Sequence, residues 1–311
     1  MKRYIIKRLL HLVPILLGIT FLSFSMMHIA GSDVIVQKYD NAGITVAQDI
    51  IDAERAKLGL DKPFLAQYLE WLGKIAKGDM GTSFVSGKNV FDSFIVKLPA
   101  TLLLTTASIF LTIVISIPLG IIAAINKNNY IDYAIRGFSF IGNSMPNFFI
   151  SLVLMYFISI KLGLLPVIST SISLKSVMLP SLTLAIAMSS KYLRQVRATV
   201  LEELSKGYIV GEKARGIRFH TTLFKSVLRV SLITIVTLLA LSIGSLLGGT
   251  AIVESIFMWD GVGKLAVDSI NMRDYPMIQA YVMWMAFIYV SINLITDILY
   301  SYLDPRIRYT N

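Results

Sequence analysis

The stretch "YIVGEKARGIRFHTTLFKSVLR" runs from Tyr208 to Arg229 and carries Glu212, Lys213, Arg215, Arg218, His220, Lys225 and Arg229. Directly after it comes "VSLITIVTLLALSIGSLLGGTAIV", which has no charge, and shortly before it "SLTLAIAMSS", equally apolar. A basic island between two membrane-grade stretches is either a solvated connection or a docking element. The rest of the chain sets the frame for that choice.

The 311 residues are 55% hydrophobic and only 15% charged, with a mean hydropathy of +0.69. Ordinary soluble domains carry about 25% charged residues, so the class is an integral membrane protein. The absence of cysteine excludes disulfides, thiolate metal sites and cysteine nucleophiles. A span needs about 20 mostly apolar residues, and six segments qualify: Leu9–His28, Leu102–Ile125, Tyr133–Ile160, Val177–Leu193, Val230–Val253 and Met277–Tyr302. The expected fold is all-α and polytopic, with about six transmembrane helices. Pro146, in the third segment, removes a backbone donor and should kink it. Pro180 should open the fourth.

Charge asymmetry orients the spans. Segments 1–8, 126–136, 191–229 and 305–311 hold four, two, nine and two Lys/Arg, 17 of the 29 in the chain. The opposite side is near neutral, so the positive-inside rule places both termini and the island in the cytoplasm. The net charge of +10 is then mostly topology, not a nucleic-acid footprint. The opening "MKRYIIKRLL" resembles a signal peptide, but its apolar run exceeds the usual 7–15 residues, and it is expected to stay as the first span.

Three parts follow: a cytoplasmic tip with the first span (1–30), an extracytoplasmic helical segment (31–98) and a five-span core (99–311) with a cytoplasmic loop at 199–229. In the external segment, "TVAQDIIDAERAKLGL" predicts a helix from Thr45 as N-cap to Gly59 as stop. "DKPFLAQYLEWLGKIAKG" predicts a second, with Pro63 in its first turn and Phe64, Tyr68, Trp71, Leu72 and Ile75 on one face. This segment is a cap on the spans, a platform for an external protein, or both.

Catalytic motifs are missing. "VSGKN" at Val85–Asn89 lacks the first glycine and the Ser/Thr of a phosphate-cradling P-loop. "GNSMP" at Gly142–Pro146 lacks the second glycine of a serine-hydrolase elbow. The histidines, His11, His28 and His220, lie near predicted span ends, and "MMH" at Met26–His28 places its soft ligands about 100° apart on a helix. No catalytic residue and no metal site is assigned. Asp297, Lys191 and Arg194 are the ionisable residues near spans, too few for a proton- or sodium-coupled carrier.

The island itself predicts a helix over "TVLEELSKGYIVGEKA" with Glu202, Glu203 and Lys206 paired, a glycine turn at Gly216, and an amphipathic piece with Phe219, Leu223, Phe224 and Val227. Such a shape suits a groove on a partner protein or an anionic lipid surface.

Ordered blocks along the whole chain carry a resemblance: "LGLDKPFLAQYLEWL" (58–72), "KGDMGTSF" (77–84), "LPATLLL" (98–104), "IPLGIIAA" (117–124), "SMPNFF" (144–149), "LRQVRATVLEEL" (193–204), "GGTAIVESIFMWDGVGKL" (248–265), "RDYPMIQA" (273–280) and "LDPRIRY" (303–309). In this order they resemble the dipeptide, oligopeptide and nickel class of ABC-importer permeases, which implies a type I importer architecture in a bacterial inner membrane. It also implies a companion permease, two cytoplasmic ATPases that bind ATP-Mg, an extracytoplasmic solute-binding protein, and no cofactor on this chain.

The family's E-A-A-x-x-x-G coupling loop falls here with its glycine on Gly216, its acid on Val210 and its alanines on Gly211 and Glu212. Against the peptide subgroup's Y-x-x-T-A-R-A-K-G, Tyr208, Ala214 and Gly216 fit, and Glu212 and Arg215 depart. The resemblance makes Tyr208, Glu212, Ala214, Arg215, Gly216, Arg218 and Phe219 the coupling loop, and it places Glu254, Asp260 and Gly261 near an outer gate. Small polar residues, Asn143, Ser144, Asn147 and Ser151 in the third span and Ser242 and Ser245 in the fifth, line a pathway or pack helices together. The implied solute is a peptide, nickel or a metallophore chelate, with a lean to the chelate from likeness to shorter members. The alternatives are a stand-alone carrier or channel, which would need repeated halves, and a scaffold without transport.

Overall fold

A computed structural model describes the backbone of residues 2–29, 35–36, 39, 43–169 and 171–303. The side chains of residues 2–9, 58, 233–234, 237–242, 245, 247–249 and 297–303 lie outside the described residues, as does all of 304–311. Among the described residues the chain is helical, and one isolated bridge pairs Thr82 with Asn89. The helices are α1 (Lys2–Ile29), α2 (Gln48–Leu58), α3 (Phe64–Ala76), α4 (Val90–Ile125), α5 (Tyr130–Ser144), α6 (Asn147–Leu154), α7 (Leu174–Leu204), α8 (Gly207–Ala214), α9 (Leu228–Ile256), α10 (Val262–Asn271) and α11 (Tyr275–Leu303). A π-helical stretch, Met155–Lys161, continues α6, and another, Thr222–Val227, leads into α9 after a short turn at Phe219–Thr221.

Among the described residues three helical stretches are long and apolar enough to cross a membrane: Leu10–Ile29, Val90–Ile125 and Tyr275–Thr296. A fourth crossing is available if α5 and α6 with its π-helical continuation act as one span, bent by 107° at Met145–Pro146. The proline expected to kink this span therefore breaks it. Pro146 cannot donate into the preceding turn and starts α6 as its N-cap instead. The second predicted span is the C-terminal two-thirds of α4, which begins at Val90, before the expected start of the core. Pro180 sits inside α7 rather than opening it. A Ser173–Ser176 capping box starts α7 six residues earlier.

The chain divides into two compact units. One comprises the residues up to Thr101 together with Asp260–Val290, and the other Leu102–Trp259 with the segment from Ser291.

In the first unit an aromatic cluster joins α1 to α3. Phe24 meets Phe64, Tyr68 and Trp71 at ring-centroid distances of 5.4 to 5.7 Å, and Tyr68 Oη lies 3.1 Å from Thr20 Oγ1. The face predicted for α3 is the face that packs, while Leu65 and Leu69 are exposed. Helix α2 starts at Gln48, with Ala47 as an N-cap lacking a side-chain bond, so Thr45 is not its cap. Pro63 is the N-cap of α3 rather than a first-turn residue. Ser83 Oγ donates to Asp274 Oδ2 at 2.5 Å and the Phe84 N–H to Asp274 Oδ1 at 3.1 Å. Trp284 stacks on Phe94 at 5.3 Å and donates to Met80 Sδ.

The second unit is built around α7, whose buried face mixes Val177, Leu184, Tyr192 and Val196 with Ser181, Thr183 and Ser190. Two glycines admit its neighbours. A Cβ on Gly120 of α4 would lie 2.6 Å from Val196, and one on Gly142 of α5 would lie 2.2 Å from Ser190 Oγ. Only a hydrogen fits at either place, so the backbones approach closely. Ser139 Oγ donates to the Ser190 carbonyl at 2.5 Å across the same contact.

Candidate functional site

The basic island folds as two arms clamped onto the second unit. The helix predicted from Thr199 to Ala214 is broken: α7 ends at Leu204, Ser205 is its C-cap, and Lys206 is the N-cap of α8. The turn is held by Glu203, a buried carboxylate that accepts from Lys206 Nζ at 2.6 Å and from Tyr208 Oη at 2.7 Å. Burial, reinforced by this carboxylate, pushes the Tyr208 phenol above its ordinary pKa, so it stays a donor.

Helix α8 stops at Gly216. Its φ of 74° is left-handed, a conformation that costs other residues about 1–2 kcal/mol. The Gly216 N–H donates to the Lys213 carbonyl at 3.0 Å and the Ile217 N–H to the Glu212 carbonyl at 3.1 Å. These are the two bonds of a Schellman motif. The returning arm enters through Phe219–Thr221 and the π-helical turns.

Each arm divides its side chains between core and solvent. Ile209, Leu223, Val227 and Leu228 join Tyr192, Val196 and Val200 in one buried cluster. Tyr208, Val210, Phe219 and Phe224 are exposed large side chains, 39%, 65%, 40% and 64% respectively. Exposed around them are Lys213, Arg215, Arg218, His220 and Lys225.

The departures from the family motif acquire a structural reading. Val210 stands outward where an acid was expected. The acid, Glu212, turns back and accepts from Ser226 Oγ at 2.7 Å, tying one arm to the other. The Thr222 and Ser226 hydroxyls, with the Arg215 charge, hold its carboxyl below the usual carboxylate range. Ala214 and Arg215 form the exposed end of α8, with Arg215 as C-cap.

The other nominated residues lie elsewhere. Asn143 and Ser144 are exposed at the end of α5, where Ser144 Oγ bonds the Phe140 carbonyl of its own helix. Asn147 is half-buried at the start of α6, and Ser151, fully buried, donates to the Asn147 carbonyl. The break thus gathers all four around one bend. The side chains of Ser242, Ser245 and Asp297 lie outside the described residues. Glu254 is fully buried near the end of α9, with its carbonyl accepting from the Trp259 N–H at 2.8 Å. Asp260 is exposed and pairs with Lys97, and Gly261 is the N-cap of α10. Among the described residues no group of three His, Cys, Asp or Glu is placed to hold a metal ion.

Sequence reasoning missed three features: the inward turn of Glu212, the Ile209 anchor, and a buried ion pair between Asp132 and Arg197. That pair is bidentate at 2.7 Å for both bonds, with Asp132 fully buried. The only hint was the lone acid at 132 in a basic segment.

Comparison with known proteins gives a consistent picture. Residues 116–309 match the family described as binding-protein-dependent transport system inner membrane component, and residues 1–105 match its N-terminal membrane component. The oligopeptide transport system permease protein AppB of Bacillus subtilis is 40% identical over 319 aligned positions, covering 99% of this chain and 100% of its own length. The glutathione transport system permease protein GsiC of Escherichia coli K12 is 36% identical over 309 positions, with the same coverage. An inward-facing structure of the MetNI methionine ABC transporter superposes with a TM-score of 0.57 at 17% identity, covering 68% of this chain and 95% of that one.

Proposed function

The chain belongs to the family of binding-protein-dependent transport system inner membrane components, and from that premise we propose how this permease of an ABC importer is driven and what it carries. It is a multi-pass inner-membrane protein, and the positive-inside asymmetry sets its termini and the Tyr208–Arg229 loop in the cytoplasm. A second permease completes the pathway, a binding protein delivers the solute from outside, and two cytoplasmic ATPases drive the cycle. ATP hydrolysis belongs to those ATPases. The solute is a short peptide or peptide-like molecule, the class named for the oligopeptide and glutathione relatives. The lean to a metal chelate finds no support among the relatives described above.

The observation that carries the coupling role is the division of side chains at the loop. Ile209, Leu223 and Val227 fix it to the second unit, while Tyr208, Val210, Phe219 and Phe224 remain exposed within a basic rim. Contiguous exposed apolar side chains rimmed by charge mark an interaction surface. Movement of an ATPase pair holding this turn would act on α7 and α9 through the buried cluster. An ATP-driven change needs such a two-state element, biased by its partner.

The test is gentle purification of the chain from its native membrane, with mass spectrometry of what accompanies it. Two P-loop ATPases and a second permease are expected. A chain that comes out alone and still transports overturns the reading in favour of a stand-alone carrier.

A further inference from the structure

We propose that the cavity between α5 and α7 holds the headgroup of one anionic phospholipid, with an acyl chain running along α5 past Phe140. The cavity is about 530 Å³ and is lined by Tyr133, Arg136, Gly137 and Phe140 from α5 and Arg194 and Arg197 from α7. Three arginines line it, and Asp132, which is not among the lining residues, pairs with Arg197 at 2.7 Å and with Arg136 at 3.9 Å. Its oxygens accept from Arg197 Nε and Nη2 and from the Asn128 N–H at 3.0 Å. The cavity therefore keeps a net charge of about +2, which an uncharged or cationic ligand would leave uncompensated.

The layout along the helices fits a lipid better than a free anion. Tyr133, Arg136, Gly137 and Phe140 are spaced three and four apart, so they share one face of α5. Arg136 lies over the Tyr133 ring at 5.1 Å, and its Nη1 stands 3.9 Å from Asp132 Oδ2, so the ring and the acid position a guanidinium that lines the cavity. Gly137 presents no side chain, and nothing lies within 4 Å of where its Cβ would be. Just beyond Gly137 comes a short apolar stretch, with Phe138 58%, Phe140 69% and Ile141 53% exposed, which ends at the exposed Asn143 and Ser144. A charged end followed by an open apolar strip is the complement of a phospholipid. Basic pockets between membrane helices on the cytoplasmic side suit anionic headgroups. The choice of the cytoplasmic leaflet rests on the orientation proposed above, whereas the sign of the ligand's charge does not.

The experiment uses the assembled importer in nanodiscs of phosphatidylglycerol mixed with excess phosphatidylcholine, followed by native mass spectrometry. Wild type is expected to retain one phosphatidylglycerol at this chain. The double variant Arg136→Gln with Arg194→Gln, which leaves the Asp132–Arg197 pair intact, is expected to lower retention roughly thirtyfold, the worth of two arginines at an anionic surface. Arg136→Lys with Arg194→Lys is expected to restore most of it. Equal retention by the glutamine variant overturns the proposal, as does wild type that carries no lipid or does not prefer phosphatidylglycerol to phosphatidylcholine. Displacement by millimolar inorganic phosphate would make the ligand a free anion instead. Cross-linking of a Phe140→Cys variant to the companion permease would make the occupant a protein; the cysteine-free chain makes that readout clean. If the glutamine variant does not assemble, the lipid preference of wild type decides alone. Lipid retention is read without transport, so failure of the coupling reading and failure of this one are distinguishable.

Discussion

Two helix ends in this protein use the same local device in different surroundings. Helix α2 stops at Gly59 with φ 71°, and the Gly59 and Leu60 N–H groups bond the Ala56 and Arg55 carbonyls at 3.1 and 3.0 Å. Helix α8 stops at Gly216 with φ 74° and the same pair of bonds, at 3.0 and 3.1 Å. Their surroundings differ. A Cβ on Gly59 would touch Lys62 and Glu70, an ion pair that covers the turn, at 3.6 to 3.7 Å. A Cβ on Gly216 would meet nothing within 4 Å. One turn is covered by its own chain, and the other is open. Backbone geometry alone does not distinguish the two turns; the open surface and the exposed aromatics beside Gly216 do, and they carry the docking role proposed for it.

The largest expected effect separates the two turns. Gly216→Arg should abolish uptake of the proposed peptide solute while the protein still reaches the membrane, because the strained turn and the added bulk disrupt the proposed docking surface. Gly59→Arg carries the same backbone strain, about 1–2 kcal/mol, and should leave most uptake intact. Equal losses in the two variants, measured by uptake of a labelled oligopeptide against membrane content, would erase the distinction.

Next in size is the anchor. Ile209→Ala should destabilise the second unit by about 2–5 kcal/mol, the usual cost of a large-to-small core substitution, and uncouple transport as the loop loosens. Val210→Ala, on the outward side of the same helix, should change stability by less than about 0.5 kcal/mol while weakening ATPase association. Thermal unfolding of the purified chain checks the first, and co-purification of the ATPases the second.

A smaller effect tests the tie between the arms. Because the Glu212 pKa is lowered in the folded protein, its contribution is present above the ordinary carboxylate pKa and is lost as pH falls through the folded value. Glu212→Gln should therefore be less stable than wild type at neutral pH and equal to it in strong acid. A stability difference that persists at acid pH would show that the tie is not electrostatic. Smallest of all is Lys62→Met, which removes the exposed ion pair over Gly59. Surface pairs contribute about 0–1 kcal/mol, so the melting temperature should barely move.

Much of the fold was legible in the sequence. Stretches such as Leu102–Ile125 are too apolar for anything but a buried or lipid-facing helix, and the 3.6-residue period of Phe64, Tyr68, Trp71, Leu72 and Ile75 named the face of α3 that packs. Gly59 and Gly216 were readable as helix stops because few other residues adopt a left-handed φ cheaply. The Lys/Arg asymmetry supports the proposed orientation, since charge bias is a property of composition. What only the tertiary structure decided depends on neighbours distant in sequence. Pro146 could announce a kink, but the 107° break also reflects α5 and α6 each packing on α7. Glu212 looked like a misplaced motif acid until Ser226, 14 residues away, was found to donate to it. Asp132 became a structural residue only when Arg197, 65 residues later, closed on it with two bonds. Periodicity and hydropathy are local properties that any window of sequence displays. A side-chain pairing exists only once helices cross, and in the second unit two such crossings pass over Gly120 and Gly142, where the absence of a side chain lets α7 come near.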